Sequence, residues 1–200
     1  WNAIKKTDTD YTAYFPEITY TAKQTGYVQP YADNPLDDEH TGENVYMNVL
    51  NSAREYAYFI TPYLLISDEM KKAFTLAARR GVDVRIITPG IPDKKFVYQA
   101  TRSYYNRLVK KGVRIFEYTP GFCHAKQCVS DDKAAVVGTI NLDYRSLYHH
   151  FENAAAFYHK DAVAGVKADF DHLFEECHEV TEQYRSHRST ALRIGQCILR

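Results

Sequence analysis

AYFITPYLLISDEMKKAFTLAARRGVDVRIITPG, residues 57–90, reads as strand, helix, strand. AYFIT (57–61) is a short apolar run that ends before Pro62, a residue that turns its predecessor away from helix. Ser67 stands where a helix N-cap belongs, with Asp68 and Glu69 favourably placed in the first turn. Met70, Phe74, Ala77 and Ala78 then recur on one helical face, and Gly81 stops the helix. VDVRII (82–87) alternates like a strand and runs into the turn TPGIPD.

The same rhythm continues downstream. A polar helix is expected from Lys94 to Lys111, stopped by Gly112, and VRIFEY (113–118) is another strand. Strands and helices alternating at these spacings argue for βαβ units. The expected fold class is therefore α/β, with a central mixed, largely parallel sheet flanked by helices on both faces. Upstream, EHTGENVYMNVLNSAREY (39–56) has a helical period. Residues 1–26 are polar, without a sustained period, and read as a linker or surface excursion. After Pro120-Gly121 the pattern changes: HAKQCVSD (124–131), AAVVG (134–138) and ENAAAFYH (152–159) read as strands with short connections. A final amphipathic helix carries Val163, Val166, Phe170, Phe174 and Cys177. Residues 27–183 form the expected domain, and 184–200 a tail in which ALRIGQCIL reads either as the start of a truncated membrane-facing helix or as disordered. The start at Trp1, without Met, points to a piece of something longer.

Lys plus Arg equals Asp plus Glu at 25 each, so the whole chain has no formal net charge and no general attraction to nucleic acid or anionic membrane. No apolar run approaches the roughly 20 residues that span a bilayer. Four cysteines in 200 residues do not make a disulfide framework; reduced thiols in a cytosolic setting are expected. Most of the 17 tyrosines should pack in core or sheet.

Chemistry concentrates in one stretch. His124, Lys126 and Asp131 form H-x-K-x4-D; Gly138, Thr139 and Asn141 follow as G-T-x-N, and Glu152 lies eleven residues past Asn141. On a strand, His124 and Lys126 would project side by side, setting a nucleophile or proton donor beside a fixed positive charge. A strand bearing His and Lys is usually solvated surface; the companions in register reverse that reading. Arg145 and Ser146 stand evenly between phosphate contact and loop anchoring. Lys94-Lys95, Arg79-Arg80 and Lys110-Lys111 read as solvated helix ends before they read as docking points for anionic headgroups. Cys123, His124, Cys128, His149 and His150 fit a tetrahedral zinc site badly, because C-x4-C on an extended segment spreads its sulfurs. Cys177 reads as core.

These motifs resemble the phospholipase D superfamily, whose signature is H-x-K-x4-D-x6-G-(S/T)-x-N. PGFCHAKQCVSDDKAAVVGTINLDYRSLYHHFE (120–152) is similar to the second-motif region of bacterial cardiolipin synthases, and the likeness extends over about Tyr27 to Glu182. The resemblance implies one half of a pseudo-dimer, completed by another such half in cis or by a homodimer partner. Two His residues then face one phosphodiester: one forms a phosphohistidine, and the other protonates the leaving alcohol. It implies phosphatidylglycerol as substrate, cardiolipin and glycerol as products, and the cytoplasmic face of a bacterial membrane as the workplace, with neither cofactor nor metal. By the same resemblance His124 is the acid, Lys126, Thr139 and Asn141 hold phosphate oxygens, Glu152 hydrogen-bonds His124, and Asp131 is a structural member of the signature. Phospholipid hydrolysis, a single-motif dimeric nuclease and a catalytically silent half-domain stay open beside it. The sequence departs from the pattern in lacking a first H-x-K motif, in carrying His150 near a position usually held by Asn, and in stopping its C-terminal hydrophobic run at CILR.

Overall fold

The computed structural model describes residues 10–21, 23 and 25–186; most of the expected tail lies outside them. After a short 3-10 turn at Thr12–Tyr14 come strand β1 (Val28–Asp33), helix α1 (Thr41–Ser52), β2 (Tyr56–Ile60) and β3 (Leu64–Leu65). Helix α2 (Asp68–Arg79), β4 (Asp83–Pro89), α3 (Lys95–Val109) and β5 (Arg114–Tyr118) complete the alternating half. Then follow β6 (Gln127–Ser130), β7 (Ala134–Gly138), β8 (Leu142–Asp143), α4 (Tyr144–His149) and β9 (Glu152–Phe157). Helix α5 (Lys160–Glu176), β10 (Cys177–Glu179) and α6 (Thr181–Ser186) close the described chain.

Eight strands form one sheet in the order β1-β9-β7-β6-β2-β4-β5-β10. It is mixed, as expected, but its parallel part is confined to β2-β4 and β4-β5. The expectation of a largely parallel sheet is corrected here, and the reason is connection length. Among neighbouring strands of the sheet, only β2, β4 and β5 are joined by helical crossovers. The β6–β7 link is a tight turn, Ser130 to Lys133, with Asp131 and Asp132 at φ 53° and 54° and a Lys133 N–H bond to the Ser130 carbonyl. Two residues in left-handed conformation make the hairpin turn whose twist suits antiparallel strands.

Helices cover both faces. Ala57 and Phe59 of β2 point to one side, into a core with Leu50 of α1, Phe74 of α2 and Leu108 of α3. The intervening Tyr56, Tyr58 and Ile60 point to the other, against Val163 and Phe170 of α5. Each fully buried Leu or Phe contributes about 1.5–3 kcal/mol, and Phe59 and Phe74 meet edge to face at 4.9 Å. Ser67 caps α2 as expected: its Oγ accepts the Met70 N–H at 2.9 Å and donates to Glu43 at 2.5 Å. Gly81 and Gly112 follow their helices at φ 93° and 101°, where a side chain would be strained. Cys177 opens β10 rather than closing the helix, and packs beside the second core half-buried.

Gly138, the first residue of G-T-x-N, is required by packing. A Cβ there would overlap the Cβ of Ala154 and lie 2.5 Å from the Asn153 carbonyl on the neighbouring strand. Gly138→Ala should therefore cost roughly 1–3 kcal/mol, read as a lowered melting temperature; an unchanged melt would contradict this register of β7 on β9.

Candidate active site

The registers bring six strand ends to one edge of the sheet: the carboxyl ends of β2, β4, β5 and β7 and the starts of β6 and β9. Open α/β sheets bind ligands outside the carboxyl ends of their strands. All the motif residues except Asp131 gather at this edge. β5 and β6 lie on opposite sides of β4 and β2 in the sheet, so the segment between them crosses the ends of those two strands. That crossing carries Phe122, Cys123, His124 and Lys126.

His124 and Lys126 thus lie on an irregular segment, not on the strand expected for them, which begins at Gln127. The exposed His124 ring is set between two aromatics, 5.8 Å from Phe122 and 6.5 Å from Tyr63. Burial of part of the ring, together with the Lys126 charge, holds its pKa below the ordinary 6.5. Lys126 continues the ladder beyond β6, its carbonyl accepting the Gly138 N–H at 3.2 Å. Its Nζ donates to the His124 carbonyl at 2.5 Å. Burial lowers the Lys126 pKa, and the Glu152 carboxylate opposes that effect.

Glu152 occupies a different place from the one expected. It makes no hydrogen bond to His124; its carboxylate accepts from Thr139 Oγ1 and from Ser146 Oγ, the latter at 2.7 Å, and meets His150 Nδ1 at 3.4 Å. His150 follows α4 directly, two residues before Glu152, and so fills the space beside the carboxylate. Thr139 spends its only hydroxyl proton on Glu152 and the Asn153 carbonyl and accepts the Asn153 N–H at 3.0 Å. It fastens the turn after β7 and has no proton to spare for phosphate. Ser146, in turn, accepts the Asn141 N–H at 2.8 Å and is capped by Asp143 at 2.9 Å. Asn141 is thereby fixed at the edge, with its Oδ1 buried and without a hydrogen-bond partner among the described residues.

Asp131 stands at the opposite end of β6. Its two oxygens accept the backbone N–H groups of Arg54, Glu55 and Tyr56 at 2.8, 3.0 and 2.9 Å, pinning the start of β2 to the β6–β7 turn. It stands apart from the other motif residues and ties two strands together.

A cleft of about 220 Å³ opens between the first turn of α3 and α4, lined by Tyr63, Lys94, Asn141, Arg145, Ser146 and His150 among others; through Tyr63 it adjoins the His124 ring. Tyr63 and His150 were not foreseen as site residues. Tyr63 follows the carboxyl end of β2, the position where an α/β sheet places ligand contacts, and its hydroxyl donates to Asp93 at 2.6 Å. Arg80, by contrast, donates to the Leu50 and Ala53 carbonyls at the end of α1 and serves that helix. Among the described residues no three His, Cys, Asp or Glu side chains converge as metal ligands, and Cys128 is fully buried in the sheet. No helix among them is long and apolar enough to cross a membrane.

The fold and this edge define a phospholipase D-like domain. The phospholipase D family member Nuc from Salmonella typhimurium superposes with a TM-score of 0.66 at 17% identity, over 81% of this chain and 100% of that one. The phosphatidylserine synthase of Haemophilus influenzae gives 0.69 at 14% identity, over 86% and 44%; at these identities the likeness is one of fold. By sequence the chain belongs to the family described as cardiolipin synthase, PLD-like domain, which matches residues 46–174. Cardiolipin synthase of Geobacillus sp. strain WCH70 is 34% identical over 92% of this chain and 37% of its own length. That of Listeria monocytogenes is 34% identical over 100% and 42%. An uncharacterised Streptococcus mutans protein is 50% identical over 90% and 39%. The chain thus spans roughly two fifths of the length of these curated relatives.

Proposed function

We propose that this chain forms one half of the active site of a phosphatidyltransferase that joins two phosphatidylglycerols into cardiolipin and releases glycerol. The reading rests chiefly on one observation: the sheet edge gathers an imidazole, an ammonium and an asparagine amide, His124, Lys126 and Asn141, which are the groups needed to grip and cleave a phosphodiester. In the first step one imidazole attacks phosphorus, the bond to the headgroup glycerol oxygen breaks, and a second imidazolium protonates that oxygen. In the second step the primary hydroxyl of another phosphatidylglycerol attacks the phosphohistidine, giving its proton to the now neutral second imidazole. The phosphodiester is restored and both imidazoles return to their starting forms.

His124 takes the acid's part in this scheme. Burial and Lys126 favour its neutral form, and an anionic phosphodiester bound alongside favours the charged form that an acid needs. Lys126 Nζ sets a positive charge against the phosphate oxygens, and the Asn141 amide, turned about its last torsion, offers Nδ2–H to the same group. These donors act where charge develops in the transition state. One H-x-K-x4-D motif occurs in the 200 residues, so the second imidazole comes from another such half, in a longer chain or a second copy, working at the cytoplasmic face of a bacterial membrane.

The test is incubation with phosphatidylglycerol in detergent micelles, with solution mass measured on the same sample. Cardiolipin and glycerol in equal amounts from an associated species are expected. Phosphatidic acid as the main product would overturn the transferase reading in favour of hydrolysis.

A further inference from the structure

The α3–α4 cleft holds more positive charge than the chemistry at His124 uses. Lys94, just before α3, lies on one wall, its Nζ 5.8 Å from the centre of the Tyr63 ring. Arg145 of α4 lies on the other, where its Nε donates to His150 Nε2 at 2.8 Å. That bond requires an unprotonated Nε2, so the imidazole proton sits on Nδ1 towards Glu152, 3.4 Å away. The relay Glu152, His150, Arg145 thus sets the guanidinium in orientation and leaves its terminal N–H groups open to the cleft. Neither cation meets a carboxylate among the described residues, although exposed Lys and Arg elsewhere in the domain pair readily, as Arg114 does with Glu179 and Lys167 with Asp171. Asn141 lines the same cleft, with its Oδ1 buried and unpartnered among the described residues.

We infer that this cleft is a subsite for a second phosphodiester headgroup, that of the acceptor lipid, gripped by Lys94 and Arg145. The inference rests on the transferase reading above. Joining two phosphatidylglycerols brings two phosphodiester anions to one site, a glycerol's length apart. His124 and Lys126 attend to the one that reacts; the other needs its own cations, or the two anions repel. The volume of about 220 Å³ is below the range of pockets that enclose drug-sized ligands. It admits a glycerophosphate headgroup and leaves the acyl chains outside. Planar Arg145 suits bidentate contact with phosphate oxygens, and Lys94 supplies a point charge. Asn141 and Ser146 line the same cleft, and the Ser146 oxygen keeps one lone pair to accept from a glycerol hydroxyl.

The experiment uses the chain itself with sn-glycero-3-phosphoglycerol, the deacylated headgroup, as the probe. Binding is followed by calorimetry and by amide chemical shifts, with inorganic phosphate as the second arm. The headgroup is expected to bind more tightly than inorganic phosphate and to shift the amides of Tyr63, Arg145 and His150. Arg145→Ala and Lys94→Ala should each weaken it about tenfold, the cost of one charge-assisted contact. His124→Ala should retain it. Wild-type affinity in both cleft variants, equal affinity for inorganic phosphate, or loss of binding in His124→Ala would each overturn the subsite. Failure of the transferase reading looks different: the headgroup then binds as described, but the micelle assay yields phosphatidic acid in place of cardiolipin.

Discussion

His124→Ala lowers phosphatidyl transfer by about a thousandfold, the scale of removing a positioned acid–base group, with little change in stability. The two halves of that expectation have separate causes. The imidazole is exposed and makes no hydrogen bond through its ring among the described residues, its contacts being the faces and edges of Phe122 and Tyr63. Truncating it removes no core volume, so thermal unfolding should move by no more than a surface substitution would, about 0.5 kcal/mol. Transfer suffers because no other imidazole reaches the same place: His150 is engaged by Arg145 and Glu152. Substrate affinity, carried by Lys126 and Asn141, should change less than turnover. A variant that keeps wild-type turnover in the micelle assay would remove His124 from the chemistry.

Asp131→Asn should do the reverse, costing about 2–3 kcal/mol of stability while turnover measured below its melt stays near wild type. The carboxylate serves three backbone N–H groups at the start of β2. The asparagine amide presents N–H where one oxygen stood, leaving donor against donor. Asn tolerates the φ of 53° at this position, so the loss reports the hydrogen bonds and not the backbone. Stability should also respond to acid. Burial pushes the Asp131 carboxyl up, but the N–H groups of Tyr56, Arg54 and Glu55 outweigh it and hold the folded value below 3.8. A depressed carboxylate contributes fully above its unfolded pKa, near 3.9, and progressively less as pH falls through the folded value. Denaturant unfolding between pH 7 and pH 3 should therefore weaken wild type more steeply than Asp131→Asn. Parallel curves for the two would contradict the assignment.

The alternating half of the fold was legible because each strand–helix junction carries its own chemistry. Ser67 caps, Gly81 and Gly112 terminate, and β4 alternates. β1 escaped because VQPYAD shows no clean period, contains Pro30 and is mostly exposed. It pairs through β9 alone at the sheet edge, where a proline is tolerated. The antiparallel pairing of β6 with β7 follows from Asp131 and Asp132, whose left-handed turn reads in the sequence only as two acids.

In the site, the motif spacing told which residues meet but not how. Spacing of two suggested strand alternation for His124 and Lys126, whereas the crossing from β5 to β6 leaves them on irregular chain. The partner of Glu152 depended on His150 and Ser146 being folded back by α4, a six-residue helix with no marked periodicity. Tyr63 and Lys94 joined the cleft through the topology of the parallel strands, which brings the ends of β2 and β4 together.

The most direct measurement is diffraction from crystals of this chain soaked in tungstate, a phosphate analogue. Tungstate within hydrogen-bond reach of the His124 ring, Lys126 Nζ and Asn141 Nδ2 is the predicted result. Tungstate bound only away from those three side chains, or absent from the strand-end edge at saturating concentration, would contradict a phosphodiester site there.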